Sequence, residues 1–200
     1  MIYDTIFFIG PQGSGKGTQA KLLAKELGFF YWEMGAILRR EAGTDSALGR
    51  KIADLINNGF LVDDPTLIEI IKDEYKSLHP TGGIIFDGVP RRILQGQFLL
   101  DFLKQNGHTN FLSILIDLSH EDSIQRLLER AHHEFRQDDT KEAILFRLKQ
   151  YDTETLPVLD WLKDNTTFLT IDGRPSPDDV TRAIKEALKY VQDNPSQKTS

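Results

Sequence analysis

The chain has 200 residues, 40% of them hydrophobic and 27% charged, enough for one globular domain with small inserts and a full core. Asp and Glu number 30 against 24 Lys and Arg, and the net charge of −6 argues against a nucleic-acid or anionic-membrane partner. The lack of cysteine excludes disulfides, thiol catalysis and a cysteine-ligated zinc, and the lack of a signal-like start or a membrane-length apolar run predicts a cytoplasmic protein.

Ile6-Phe7-Phe8-Ile9 reads as a short buried strand. Ala20, Leu23, Ala24 and Leu27 then recur at helical spacing, with Gly28 placed as a C-cap. Between them lies a glycine-rich turn, Gly10-Pro11-Gln12-Gly13-Ser14-Gly15-Lys16-Gly17-Thr18-Gln19. Strand, glycine loop and helix together form the context of a phosphate cradle. Glycines turn the backbone through positive φ and bring N–H groups up to phosphate oxygens without a Cβ in the way. The helix start adds its partial positive charge. Lys16 is placed to reach the β and γ phosphates, and the Thr18 hydroxyl to help hold phosphate or the shell of a magnesium ion. Gly17 sets that hydroxyl one residue later than in the plain P-loop pattern, which makes the signal more specific.

Phe29-Phe30-Tyr31-Trp32 has the β propensity of a second core strand. From Glu33 to Val62 the pattern becomes a small helical insert, with one helix around Ala36 to Ala42 and another around Leu48 to Asn57. Gly43 separates them and Gly59 ends the second. Asp64-Pro65 supplies a cap and a first-turn proline for a helix with Leu67, Ile68, Ile71, Tyr75 and Leu78 on its apolar face. After the turn cluster His79 to Gly83, Ile84-Ile85-Phe86-Asp87 is a strand ending on a carboxylate, at the sheet edge where α/β proteins bind ligands.

A helix follows through Phe98, Leu99, Phe102 and Leu103 to near Gly107, and then a strand from Phe111 to Asp117. Ser119 and Asp122 form a capping box for a helix carrying Arg126 and Arg130. Ala131 to Asp139 is polar and reads as a loop. The helical pattern through Ile144, Leu145 and Leu148 should be kinked or interrupted by Pro157. Thr167 to Ile171 is a last strand, and Ser176-Pro177 caps a helix to about Val191, with Gln192 to Ser200 frayed. Strands alternating with helices imply a parallel sheet covered on both faces.

Beside the first loop, Asp87-Gly88-Val89-Pro90-Arg91 resembles the second signature of the adenylate kinase family of nucleoside monophosphate kinases, whose members carry Gly-Lys-Gly-Thr and a later Asp-Gly-Phe-Pro-Arg. The resemblance extends through Gly35 with Arg39, Gly59-Phe60-Leu61-Val62, Gln95, Arg126, Arg130, Arg136, Asp138, Asp139 and Arg147 to Asp172-Gly173. It implies a P-loop kinase fold with a five-stranded parallel sheet and helices on both faces. Residues 1–32, 63–130 and 140–200 would form the core, 33–62 the insert that binds the nucleoside monophosphate, and 131–139 a short lid without zinc. His132 and His133 lack a third ligand and read as solvated loop residues.

The implied reaction is reversible, magnesium-dependent phosphoryl transfer from ATP to AMP giving two ADP. Such transfer needs positioning and electrostatic stabilisation more than covalent help, and guanidinium groups suit it because they clamp phosphate with two donors. The family implies that Arg39 and Arg91 hold the acceptor phosphate. Arg126, Arg130, Arg136 and Arg147 would gather around the donor phosphates and the transferring group, with Lys16 following it. The donor site would take Gly13 to Thr18 and Pro175; the acceptor site would take Met34, Gly35, Arg39, Phe60, Leu61, Val62, Gly88, Val89, Pro90, Arg91, Arg136 and Arg147. Gln95 would read the AMP base, since a carboxamide donates to a ring nitrogen while accepting from an exocyclic amine. Asp87 and Thr18 would act on magnesium through water.

The chain departs from the family at Glu33-Met34-Gly35-Ala36, where members usually read Ser-Thr-Gly-Asp. There the threonine helps place the base and the aspartate helps order water around magnesium. Gln12 and Val89 also replace the usual proline and phenylalanine. Met34 motivates one rival reading, a UMP/CMP-type kinase, and the missing acid at Ala36 another, a nucleotide-binding module with little turnover, whereas Gln12 and Val89 leave the glycines, lysine and terminal arginine of the motifs intact. The expected enzyme is a monomer whose partners are ATP, AMP and ADP.

Overall fold

The sequence TIFFI forms strand β1 (Thr5–Ile9), buried along its whole length, with side chains that alternate between two apolar layers. Phe7 and Ile9 enter one layer, Ile6 and Phe8 the other, as the two-residue period requires of a strand covered on both faces. The remaining strands are β2 (Phe30–Glu33), β3 (Ile84–Asp87), β4 (Phe111–Asp117) and β5 (Thr167–Asp172). All pair in parallel in the order β2-β3-β1-β4-β5, the expected five-stranded sheet. This computed structural model describes residues 2–78, 80, 82–134 and 140–194, with the backbone alone for 130–134.

The helices are α1 (Lys16–Leu27), α2 (Met34–Ala42), α3 (Ala47–Asn57), α4 (Asp64–Leu78), α5 (Ile93–Gln105), α6 (His120–Glu134), α7 (Lys141–Gln150), α8 (Leu156–Asn165) and α9 (Pro177–Asp193). Ala20, Leu23 and Ala24 of α1 and Val180, Ile184 and Leu188 of α9 cover the face of Ile6, Phe8, Ile114 and Ile116. The opposite face, around Phe7, Trp32 and Phe86, is covered by Leu67 and Ile71 of α4, Leu99 and Leu103 of α5, and Val158 and Leu162 of α8. The chain therefore leaves β1 toward one face and β3, its neighbour, toward the other. Their carboxyl ends flank a crevice of the kind in which α/β sheets bind ligands. The register pairs Phe8 with Asp87, which sets that carboxylate level with the start of the glycine loop.

Gly28 ends α1 at φ 67, as its placement predicted. The Ser119 hydroxyl accepts from the Asp122 N–H at 3.1 Å and donates to its carboxylate at 2.7 Å, and Ser176 caps α9 through the Asp179 N–H. Four expectations shift. The N-cap of α4 is Asp63, not Asp64: Asp63 Oδ1 accepts from the Thr66 N–H at 3.1 Å, whereas Asp64 already lies inside the helix. The interior face of α4 takes Ile70 in place of Leu78, which is exposed. Helix α6 runs on to Glu134 where a loop was expected from Ala131, in keeping with the high helix propensity of alanine. Before Pro157 the chain makes a π-helical turn (Tyr151–Thr155) between α7 and α8. Proline has no N–H to continue the preceding register. The expected fraying beyond Asn194 lies outside the described residues; α9 itself is helical to Asp193.

Candidate active site

Above the carboxyl ends of β1 and β3 opens a cleft of ≈ 1080 Å³. One wall is the glycine loop. Gly15 stands at φ 85 as the N-cap of α1, a conformation that glycine adopts without strain. A Cβ on Gly17 would lie 2.9 Å from Asp87 Oδ2, so a glycine there admits the carboxylate at the end of β3 against the start of α1. Lys16 borders the cleft and donates through Nζ to the Pro11 carbonyl at 3.3 Å. Thr18 is exposed on the same wall. The Ser14 hydroxyl is buried without a partner among the described residues and lies against Gly10, where a Cβ would come within 2.9 Å of it.

The floor is built by β3. Tyr31 on β2 donates to Asp87 Oδ2 at 3.0 Å. Burial, and then the charge of Asp87, push the Tyr31 hydroxyl well above the ordinary phenol range, so it remains a donor. After the turn at Gly88, the Arg91 Nε donates to the Gly88 carbonyl at 3.0 Å and its side chain enters the cleft beside Asp87 and Arg147. Loss of solvation lowers the Arg91 pKa most, Asp87 opposes that, and the like charge of Arg147 adds to it. Two guanidinium groups beside one another on the wall of a cleft suit an anion.

The third wall is the insert. Arg39 of α2 borders the cleft and pairs with Glu33 Oε1 at 2.8 Å. Met34, Gly35, Phe60, Leu61 and Val62 line the same side, with Leu38 and Ile56. Phe60, half exposed, meets Phe146 of α7 edge-on with ring centroids 5.1 Å apart. At the far end Arg126 donates to the Arg174 carbonyl at 2.8 Å, next to Gly173 and Pro175. Arg174 pairs with Asp172 and lowers that carboxyl to about 2.

A sequence model of the family described as adenylate kinase matches residues 8–167. An adenylate kinase of Maricaulis maris is 36% identical over 184 residues, 92% of this chain and 98% of its own length. One from Thermus thermophilus is 34% identical over 185 residues, and adenylate kinase 1 of a Nostoc species 34% over 183, each covering 92% of this chain and 97% of its own. The chain belongs to the adenylate kinase family. Its sheet and helices are those of the P-loop kinase fold, and it is by family a nucleoside monophosphate kinase, a phosphotransferase.

Against that family pattern, the cleft brings together the loop residues Gly13 to Thr18, Asp87, Gly88, Arg91 and Gln95, the insert residues, Arg126, Arg147 and Pro175. Val89 and Pro90 instead line a smaller cavity of ≈ 40 Å³ that also touches Lys16, Arg91 and Arg147. Arg136 and the side chain of Arg130 lie outside the described residues, as do the side chains of His132 and His133. Met34 is 2% exposed and packs into the core, and half-buried Ala36 brings no carboxylate to the cleft. Sequence reasoning missed Tyr31 as the partner of Asp87 and Glu33 as that of Arg39. Tyr31 belongs to no glycine or arginine motif and meets Asp87 through the pairing of β2 with β3, whereas Glu33 and Arg39 lie six residues apart and meet at the start of α2.

Proposed function

We propose that this member of the family is an adenylate kinase, transferring the γ-phosphoryl group of ATP to AMP, reversibly, to give two ADP. The observation that carries the reading is a single cleft joining Lys16 and the glycine loop to Arg39, Arg91 and Gln95. Its ≈ 1080 Å³ exceeds the roughly 300–1,000 Å³ of an ordinary one-ligand site, which suits a donor and an acceptor held together.

In this reading the loop from Gly13 to Thr18 cradles the donor phosphates, and Lys16 leaves the Pro11 carbonyl to follow the transferring group. Arg126 and Arg147, joined by Arg130 and Arg136, neutralise its charge, with Pro175 beside the donor base. Arg39 and Arg91 clamp the acceptor phosphate, Arg39 exchanging Glu33 for it. Gly35, Met34 and residues 60–62 shape the acceptor pocket, where Gln95 reads the base edge. Held this way, the two reactants gain from proximity and from preorganised positive charge. The division into a core, an insert of residues 33–62 and a lid of 131–139 belongs to the same reading, with the two smaller parts excluding water on closure.

Magnesium fits the donor set. Asp87 and Thr18 offer hard oxygen atoms, and among the described residues no three His, Cys, Asp or Glu side chains gather as a metal cage. Those oxygens suit an ion held mainly by phosphates and water, with Asp87 and Thr18 holding the water, and the reading assigns no zinc to the short lid. The ion would neutralise charge on the β and γ phosphates. Among the described residues no helix is long and apolar enough to cross a membrane. A monomer in the cytoplasm, acting on nucleotides rather than nucleic acid, accords with the acidic, cysteine-free composition.

The test is ADP formation from Mg-ATP with AMP, dAMP, CMP, UMP or GMP, beside a Lys16→Met control. Strong turnover with AMP, lost in the control, is the expected result. Turnover confined to pyrimidine acceptors, or none at all, would refute the reading.

A further inference from the structure

Gln95 is the third residue of α5, 2% exposed, and borders the cleft. Both ends of its carboxamide meet groups that act in one sense only. Oε1 accepts from the Arg91 N–H at 2.8 Å, and Nε2 donates to Asp64 Oδ1 at 2.8 Å. A backbone N–H only donates and an ionised carboxylate only accepts, so the two contacts fix which end of the amide is nitrogen. One N–H and one oxygen lone pair of the amide remain for a base edge.

Asp64 is itself held. Arg92 Nη1 donates to the same Oδ1 at 3.2 Å and to the Val62 carbonyl at 3.3 Å, while its Nε donates to Glu154 Oε2 at 2.8 Å. Burial works against the Arg92 charge, but the hydrogen bonds to Glu154 and Asp64 outweigh it and hold the pKa above its ordinary value. A second strut from the π-helical turn, Thr155 Oγ1 to the Arg91 carbonyl at 3.3 Å, steadies the backbone whose N–H faces Gln95. Asp64, Arg92 and Glu154 do not border the cleft. Their bonds serve the orientation of a residue that does.

We propose that Asp64, pinned by Arg92, makes the acceptor site choose amino over oxo bases by locking the Gln95 carboxamide in one orientation. The inference rests on the reading of Gln95 as the residue that meets the acceptor base. An adenine edge sets a ring-nitrogen acceptor beside an exocyclic amine, matching the spare N–H and lone pair of the locked amide. Hypoxanthine, its 6-oxo counterpart, sets a ring N–H beside a carbonyl. Against the locked amide that edge places donor on donor and acceptor on acceptor, leaving polar groups unpaired. An amide free to turn over serves either edge. Asp64 and Arg92 are thus positioning residues, and specificity is their readout.

The experiment compares AMP with IMP, which differ only at that edge, on full-length wild type, Asp64→Asn and Arg92→Gln. It measures kcat/KM for each acceptor and, by calorimetry, binding of each without ATP. Asparagine keeps one acceptor for Arg92 but its amide can also turn its NH2 toward Gln95, so Asp64→Asn loosens the lock while the Arg91 N–H still holds Oε1. The AMP to IMP preference should fall on the order of tenfold, while the KM for ATP stays put. Arg92→Gln should shift it in the same direction by less, and thermal unfolding shows that each variant is folded. An unchanged preference in the folded variants, or equal losses for both acceptors, would overturn the proposal. A wild type that binds AMP over IMP yet makes no ADP would instead refute the kinase reading, with the lock still tested by the binding ratio.

Discussion

The hydroxyl of Tyr31 and the carboxylate of Asp87 meet at 3.0 Å directly beneath the start of α1, where only the missing Cβ of Gly17 leaves room for them. β2 and β3 pair in register beside this contact, so the backbone sets the distance and the side chains have little freedom to lose it. The phenol spends its one donor on the oxygen that would otherwise turn freely toward the loop. Tyr31→Phe keeps the ring and removes the donor. The expected outcome is a loss of about 1 kcal/mol of stability and a severalfold rise in the magnesium needed for half-maximal turnover. Magnesium titrations of the rate, alongside urea unfolding, check it; an unshifted magnesium requirement would detach Asp87 from the ion.

The Arg91 side chain donates through Nε to the Gly88 carbonyl and borders the cleft beside Arg147. Its charge is held against desolvation and like-charge repulsion, a tension that an anion would relieve. Arg91→Ala should therefore leave the fold intact while lowering kcat/KM for AMP by roughly 10²–10³-fold. Wild-type turnover in a folded Arg91→Ala protein would remove Arg91 from the acceptor site.

The elements that could be read ahead of the structure were those in which one local signal and the tertiary environment agree. Strand β3 is apolar to its last residue and becomes a central strand buried on both faces; Ser119 has Asp122 at capping distance and caps. Where tertiary partners compete, local reading slipped. Asp63 and Asp64 are equivalent as caps in sequence, but only one of them has Gln95 and Arg92 within reach, and that demand leaves the cap to its neighbour. Likewise the motifs located Lys16, Arg39, Arg91 and Gln95 in the cleft, whereas Tyr31 and Glu154 are partners from distant segments with no motif of their own, and Glu33 is a local partner of Arg39 at a position where the family usually has serine.

Asp63 gives a pH dependence. The Lys51 ammonium at 2.7 Å, and then the Thr66 hydroxyl and N–H, hold its carboxyl well below the ordinary 3.8. A depressed folded pKa means that the unfolded chain takes up the proton first. The stabilisation is present above pH ~4 and is lost as pH falls toward the folded value. Asp63 is about half exposed, so screening keeps the charge contribution small, and the cap itself is worth about 1 kcal/mol. Asp63→Ala should lower stability by about that amount at pH 7 and flatten its decline between pH ~4 and pH ~2. Urea midpoints across that range measure both; parallel curves for the two proteins would count against the assignment.

Ala36 stands in the first turn of α2, half-buried, at the position where the family usually places an aspartate. That first turn holds no acidic residue, so a carboxylate there would meet the unpaired N–H groups of the helix start, a gain of about 0.3–1 kcal/mol. It would also set a carboxylate one residue from Gly35, which borders the cleft with Asp87. Glu33 is engaged by Arg39 and cannot supply that carboxylate without releasing the guanidinium. Ala36→Asp is therefore expected to be neutral or slightly stabilising and to raise turnover most where magnesium is scarce. Rates at limiting and saturating magnesium separate the two effects. A variant equally fast at both, or slower throughout, would mean that this cleft orders the ion without a second carboxylate, through Asp87, Thr18 and the phosphates alone.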